Sequence, residues 1–260
     1  MDALAALETA IRQRLCAEGE ADFAVVDFDN TCIVNDIGEA TLAFMCANSL
    51  LRYGGLLSGQ VEPCNADYHA RVFRHYHRIL AQGDIRGASL LCARIFAGFR
   101  RDEAAAVVAA TLDAEGTLPG ERELYGLRVA RGLAVRPALR ALIDFLQASR
   151  IRVWIVSASP AIAVEAAMRR FGIGGELIAL RHRVDGDTLS ADIEEPCSIE
   201  HGKVDCIRTF IEPRRRPLLA VGDSDYDLPM IEYAELKAVV ERDNALTRMA
   251  RQRGWFVLPS

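Results

Sequence analysis

The sequence lacks the features expected of a secreted or membrane-bound protein. Its seven cysteines are odd in number and no two have the C-x-x-C spacing, so we expect reduced thiols rather than a disulfide framework or a zinc site. No apolar run approaches the about 20 residues that span a bilayer. The start of the chain has helical spacing and no basic segment of the kind that opens a secretion signal. We therefore predict a cytoplasmic protein that does not bind membranes.

An excess of positive charge is also missing. The chain has 31 Lys and Arg residues against 36 Asp and Glu, a formal net charge of −5 and a pI near 5.6, which argues against nucleic-acid binding. Hydrophobic residues make up 51% of its 260 residues and charged residues 26%, which suits a globular protein with a sizeable core. The oligomeric state stays open.

The spacing of apolar residues divides the chain into two parts. A strand at Phe23–Val26 is followed by about a hundred residues with helical spacing and no comparable strand pattern. From Pro137 onward, helices alternate with apolar strands, which is typical of an α/β fold with a doubly wound parallel sheet. We predict a core formed by residues 1–34 and 136–260 and an inserted helical cap formed by residues 35–135. The predicted cap helices cover residues 40–51, 66–82, 89–99 and 102–114.

Two acids follow the first strand, at Asp27 and Asp29. If the chain is still extended there, alternation puts both side chains on one face, where their repulsion needs a divalent cation or a shared proton. Mg²⁺ suits such oxygen ligands and also pairs with substrate phosphate oxygens. Asp27 could then attack phosphorus while Asp29 acts as general acid and base. The alternative is a pair of solubilising acids at a strand end.

Polar residues also follow two later strands. Ser157 ends the run Val153–Val156, with Ser159 as the expected N-cap and Pro160 as the first residue of the next helix. The segment Gly222-Asp223-Ser-Asp-Tyr-Asp227 follows a run of apolar residues. Ligands of parallel α/β sheets bind at the carboxyl ends of strands, so these residues predict a phosphate site. Each segment alone is equally compatible with a plain turn or an acidic helix start.

Together with Gly202-Lys203, these segments resemble the four motifs of the haloacid dehalogenase-like (HAD) superfamily of phosphohydrolases, whose core is Rossmannoid. The resemblance implies an aspartyl-phosphate at Asp27, acid/base catalysis by Asp29 and charge neutralisation by Lys203. It implies substrate binding by the residues Thr31, Ser157 and Ala158. It implies Mg²⁺ bound by Asp27, Asp29 through its backbone carbonyl, and Asp223, with Asp227 behind them and Asp225 as a rival ligand.

The helical insertion is similar to that of the phosphoserine phosphatase-like branch, which hydrolyses small phosphomonoesters. Asp36 falls where phosphoserine phosphatases carry a Glu that meets the substrate amine, although an ordinary helix-start acid is equally compatible. Ser157-Ala-Ser-Pro160 replaces their usual Ser-Gly-Gly-Phe, and residues 178–203 resemble phosphocholine or phosphoethanolamine phosphatases of the same branch. We expect a small amine-bearing phosphate ester of that type, with phosphoserine as the alternative. Aromatic faces for a quaternary amine could come from the cap residues Phe44, Tyr53, Tyr68, Phe73 and Tyr76, but aromatics at helical spacing more often belong to the core, so we assign no choline cage.

Two hypotheses from other classes stay open. A phosphoryl-accepting signalling domain also combines acids, a hydroxyl and a lysine on a doubly wound sheet, but it needs neither a large cap nor an acid two places after the acceptor. A non-catalytic phosphate-binding scaffold would not require both Asp27 and Asp29. We therefore predict a phosphatase whose partner is a small-molecule phosphomonoester.

Overall fold

A computed structural model describes residues 3–15, 22–57 and 66–260. The helices in these ranges are α1 (Ala3–Arg14), α2 (Ile37–Ala47), α3 (Ala66–Ala81), α4 (Ile85–Arg94), α5 (Arg101–Glu115), α6 (Pro137–Ala148), α7 (Ala161–Phe171), α8 (His201–Cys206), α9 (Leu228–Tyr233) and α10 (Ala245–Gln252). The strands are β1 (Phe23–Val26), β2 (Ile33–Val34), β3 (Gly120–Leu124), β4 (Leu127–Arg131), β5 (Ala134–Val135), β6 (Arg152–Pro160), β7 (Glu176–Leu180), β8 (His182–Asp185), β9 (Thr188–Ile193), β10 (Leu219–Gly222), β11 (Leu236–Val240) and β12 (Phe256–Leu258).

Six parallel strands form the central sheet, in the spatial order β12-β11-β10-β1-β6-β7. The chain builds the sheet outward from β1 on one side through β6 and β7, and on the other through β10, β11 and β12. The order therefore reverses at β1, where open α/β sheets bind their ligands. This arrangement confirms the predicted doubly wound fold.

Helices cover both faces of the sheet. One apolar cluster joins alternate residues of β1, Ala24 and Val26, to buried residues of α1, α6 and α7. A second cluster joins the other two residues of β1, Phe23 and Val25, to α8, α9 and α10. Because β1 is buried on both faces, its sequence is continuously apolar rather than alternating.

The chain between β2 and β5 forms an insertion composed of α2, α3, α4, α5 and the hairpin β3–β4. β2 and β5 pair antiparallel, so the insertion leaves and rejoins the core at one short ribbon. The four predicted helices are present. The hairpin was not predicted, because its strands are mostly exposed and rich in Glu and Arg, which gives no buried apolar alternation.

The insertion packs back onto the core through α2, α4 and α5, which contact β6 or α7. Ala93 of α4 joins a small apolar cluster with Leu180, Cys197 and Ile199, and the turn after α4 pairs its backbone with Leu189 of β9. No helix in the described part of the chain combines the length and apolar character required to cross a bilayer.

One helix boundary differs from the prediction. α7 begins at Ala161 with Pro160 as its N-cap residue, and Ser159 makes no capping hydrogen bond. Strand β6 continues through Ser157 to Pro160, so the polar segment is extended backbone beside β7 rather than the first turn of a helix.

Candidate active site

Asp27 lies at the carboxyl end of β1, where its backbone N–H still donates to the carbonyl of Val221 in β10 at 2.9 Å. The next residues, Phe28–Cys32, form an irregular turn in which Asn30 has a φ of 57°. Asparagine tolerates this left-handed conformation better than most residues. The turn closes with a bond from the Asn30 N–H to the carbonyl of Asn35 at 3.0 Å. It therefore holds Asp27, Asp29 and Thr31 next to the sheet edge.

Lys203 joins two carboxylates that are far apart in sequence. Its Nζ donates to Asp27 Oδ1 at 2.6 Å and to Asp227 Oδ1 at 2.6 Å. The exposed fraction of all three side chains is below a tenth. A lysine buried to this extent needs such partners, which distinguishes it from the solvated lysine of an ordinary surface helix.

Asp223 is held by hydrogen bonds to both of its carboxylate oxygens. Thr31 Oγ1 donates to Oδ1 at 3.2 Å, and Arg242 Nη1 donates to Oδ2 at 2.6 Å. The preceding residue must be glycine for packing reasons: a Cβ on Gly222 would lie 2.5 Å from the Cβ of Asp227. The turn thereby brings the acids of the late segment against β1.

Asp29 is held by partners other than Lys203. Its Oδ1 accepts from the backbone N–H of Ile37 at 2.7 Å, and its Oδ2 accepts from Ser157 Oγ at 3.2 Å. Ser157 is fully buried, and its hydroxyl oxygen also accepts from the backbone N–H of Ser159 at 3.0 Å. Ser157 therefore positions Asp29, while Ala158 and Ser159 line the adjoining cavity.

The cavity above these residues has a volume of about 290 Å³. The core contributes Asp27, Asp29, Lys203, Asp223 and Asp227 to its wall, and the insertion contributes Asp36, Glu39, Tyr76 and the apolar side chains of α4. Asp36 is the N-cap of α2 and accepts from the backbone N–H of Glu39 at 2.8 Å. Thr31, by contrast, is fully buried beneath Asp223.

Burial dominates the electrostatics of the acids. It raises the pKa of Asp27 to about 8, reinforced by the charge of Asp227 and opposed by Lys203. Burial and the charge of Asp36 raise the pKa of Asp29 well above its usual range. Burial alone would lower the pKa of Lys203, but the carboxylates of Asp227 and Asp27 raise it. Perturbed groups gathered in one cavity are typical of a catalytic site.

A family model described as haloacid dehalogenase-like hydrolase matches residues 24–232. The chain belongs to this family. The match runs from β1 to α9 and so includes every site residue described above except Arg242, which lies beyond it.

Solved structures share the fold of this haloacid dehalogenase-like hydrolase at low sequence identity. A Bordetella pertussis Tohama I protein of unknown function is 16% identical, with a TM-score of 0.70, over 92% of this chain and 99% of that one. A phospho-aspartyl intermediate analogue of phosphoserine phosphatase is 14% identical, with a TM-score of 0.54, over 93% and 94%. A substrate-bound phosphoserine phosphatase is 16% identical, with a TM-score of 0.52, over 86% and 87%.

A sequence relative covers less of the chain. A protein of Mycobacterium leprae (strain TN), provisionally named a hydrolase, is 28% identical over 111 residues. That match spans 41% of this chain and 36% of the relative.

The acids of this hydrolase fit a divalent cation. Carboxylate oxygens of Asp27, Asp223 and Asp227 lie within 4.8 Å of one another, and all three residues are buried. Burial and the charge of Asp227 raise the pKa of Asp223 to about 6. A bound cation would relieve the repulsion within such a set of hard oxygen ligands. Asp225 is exposed and lies outside this cluster.

The structure brings together most of the residues singled out in the sequence and adds two. Arg242 lies two residues after the end of β11, and Glu39 lies three residues after Asp36. The available signals were the end of a strand for Arg242 and the first turn of a helix for Glu39. Neither signal showed where the side chain would point. Of the five aromatic residues considered for a quaternary amine, only Tyr76 lines the cavity, and Tyr226 of the core joins it within the described residues.

Proposed function

We propose that this protein is a Mg²⁺-dependent phosphomonoesterase that acts on a small amine-bearing phosphate ester through an aspartyl-phosphate at Asp27. The observation that carries the proposal is the position of Asp27, which lines the cavity, is bound to Lys203 through Oδ1 alone and has no hydrogen-bonding partner for Oδ2 in the described chain. Oδ2 is thus the oxygen available to attack phosphorus.

The steps follow from the surroundings of the two acids. Asp27 Oδ2 forms a bond to phosphorus as the bond to the ester oxygen breaks, and Asp29 gives its proton to the departing alkoxide. The raised pKa of Asp29 keeps that proton available at neutral pH. Water then attacks the phosphoryl group, Asp29 takes a proton from it, and phosphate leaves with Asp27 restored.

The charges of the resting site support the same assignment. Lys203 offsets the charge on Asp27 and on the phosphoryl oxygens, and Asp227 fixes its direction. Asp27, Asp223 and the backbone carbonyl of Asp29 would hold Mg²⁺, with Asp227 beside them. The ion would neutralise negative charge on the transferring group. The five described cysteines are free, which agrees with the cytoplasmic location that we propose.

The wall contributed by the insertion supports an amine on the substrate. Asp36 and Glu39 line the cavity, and Lys203 and Arg242 are its only basic residues in the described chain. Both cations are already paired with acids. We propose that the insertion acts as a cap and that its two acids meet an ammonium group. A substrate carboxylate would find no unpaired cation there.

Two substrate types remain, supported by different observations. The phosphoserine phosphatases that share the fold support phosphoserine. The acidic cavity wall supports an amino-alcohol phosphate that lacks a carboxylate. Rates of phosphate release from phosphoserine, phosphoethanolamine, phosphocholine and a sugar phosphate separate the two, and preference for the sugar phosphate would reject both.

The nucleophile is tested with Asp27→Asn, using as a control Asp225→Asn, which changes an exposed acid in the turn after β10. We expect Asp27→Asn to lose Mg²⁺-dependent hydrolysis of an aryl phosphate and Asp225→Asn to retain it. Circular dichroism should show that both variants are folded. Borohydride reduction during turnover should convert residue 27 to homoserine, detectable by mass spectrometry. Undiminished turnover in Asp27→Asn refutes the assignment, and a single turnover with stable phospho-Asp27 indicates a signalling domain instead.

A further inference from the structure

The loop between β11 and α10 holds Asp223 by two separate contacts. Arg242 Nη1 donates to Asp223 Oδ2 at 2.6 Å, and Asn244 Nδ2 donates to the Asp223 carbonyl at 2.7 Å. The loop is itself fixed to α10, because the Arg242 N–H donates to Thr247 Oγ1 at 3.0 Å and the Thr247 N–H donates to Asn244 Oδ1 at 2.9 Å. The guanidinium is therefore placed on Asp223 by a rigid support.

Arg242 also separates the buried acid from solvent. The exposed fraction of its side chain is 40%, against 7% for Asp223. Its side chain lines the cavity that contains Asp27 and also a second cavity of about 200 Å³ beside Asn35 and Gly132. A guanidinium has five N–H donors, so donors other than the one on Asp223 can reach an anion in the cavity.

Each acid of the cluster thus has a cation of the chain beside it. Lys203 neutralises Asp27 and Asp227, and Arg242 neutralises Asp223. A divalent cation bound at Asp223 would lie within a few ångströms of the guanidinium, where like charges repel strongly. An anion beside both would be attracted to each of them.

We propose that Arg242 is a positioning residue that couples divalent-cation binding at Asp223 to phosphate binding in the cavity. Without an anion, the guanidinium weakens cation binding. With phosphate present, the anion screens that repulsion and accepts hydrogen bonds from Arg242, so cation and phosphate each strengthen the binding of the other. The proposal rests on the metal site of the proposed function and adds a substrate-dependent control of its affinity.

Binding of Mn²⁺ as a probe, followed by electron paramagnetic resonance, tests the coupling without relying on turnover. The proteins are wild type, Arg242→Gln, Arg242→Lys and a control, Arg248→Gln, which removes one exposed charge from the neighbouring helix. Each is titrated with and without saturating inorganic phosphate. Circular dichroism and thermal melting show whether each variant is folded.

Without phosphate, we expect Arg242→Gln to bind Mn²⁺ about tenfold more tightly than wild type. Phosphate should tighten Mn²⁺ binding about tenfold in wild type but less than about threefold in Arg242→Gln. Arg242→Lys should keep the weak resting affinity because it keeps the charge. Arg248→Gln should match wild type in both respects. Affinities in Arg242→Gln equal to or weaker than wild type, or unchanged coupling, would overturn the proposal, while a wild type that binds no Mn²⁺ would overturn the metal site as well.

Discussion

Replacing Lys203 with methionine removes the cation shared by two buried carboxylates and should destabilise the protein strongly. At 2.6 Å and an effective dielectric constant of about 20, each pair gains about 6 kcal/mol of Coulomb attraction. The cost of taking the ammonium out of water offsets part of this gain. Removing one partner of a buried ion pair typically costs about 3–5 kcal/mol. We expect a loss of that size in the free energy of unfolding above about pH 9, where Asp27 is ionised, without divalent cations.

The loss should shrink as the pH falls. The pKa of Asp27 is already raised to about 8, and it would rise further without the ammonium. A carboxyl whose pKa is higher in the folded than in the unfolded state favours unfolding when it is ionised and ceases to do so once protonated. The stability of Lys203→Met should therefore increase relative to wild type as the pH falls towards about 8, because Asp27 is still ionised in wild type there but already protonated in the variant. Below about pH 8 both proteins hold this proton, so the difference should level off.

Urea denaturation in the presence of a chelator measures this effect. The only other lysine of the chain, Lys237, provides the control: it contacts two backbone carbonyls and no carboxylate, so Lys237→Met should cost less than about 1 kcal/mol. Adding Asp227→Asn to Lys203→Met should restore part of the loss by removing one unpaired charge. A Lys203→Met protein as stable as the control, or a deficit that grows as the pH falls, would refute the reasoning.

Three further predictions concern other contacts of the site and the insertion. The pKa of Glu39 is raised to about 7 by burial and the charge of Asp36. Ionised Glu39 should bind the substrate ammonium better, so KM for phosphoethanolamine should fall as the pH rises through about 7. This fall should be absent in Glu39→Gln, and equal pH profiles for the two proteins would contradict the prediction. Thr31→Val removes the bond to Asp223 and should lower the free energy of unfolding by about 1–2 kcal/mol in urea, whereas no change would show that the bond contributes nothing. Glu115→Gln breaks a 2.6 Å pair with Arg122 and should cost about 2–4 kcal/mol by the same measurement, since Glu115 is buried and also accepts from the Gly132 N–H; wild-type stability would mean that the pair is dispensable.

The strands that could be predicted are those whose burial requires a continuously apolar sequence. β1 has the predicted bounds because strands within a parallel sheet have short, continuously apolar sequences. The hairpin β3–β4 could not be predicted, because its pairing depends on backbone hydrogen bonds between exposed polar residues.

The site divides in a similar way. Asp27, Ser157 and Asp223 could be placed together because each follows the apolar run of a strand in one parallel sheet, and these runs end at the same edge. The start of α2 at Ile37 rather than residue 40 follows from Asp36, whose carboxylate caps the helix. The contact of Arg242 with Asp223 could not be foreseen. It depends on how the loop after β11 folds towards the end of the neighbouring strand β10.

One hydrogen bond links Asp29 directly to the first helix of the insertion. Ile37 is the first residue of α2, the helix that carries Glu39 into the cavity, and its N–H holds Asp29 Oδ1 at 2.7 Å. If α2 moves outward to admit a ligand, this hydrogen bond must lengthen. The carboxyl group of Asp29 is then no longer held in its orientation. If the insertion acts as the cap proposed above, its closure and the orientation of the proposed proton donor would be a single event, so an open enzyme would hold a bound ester without cleaving it.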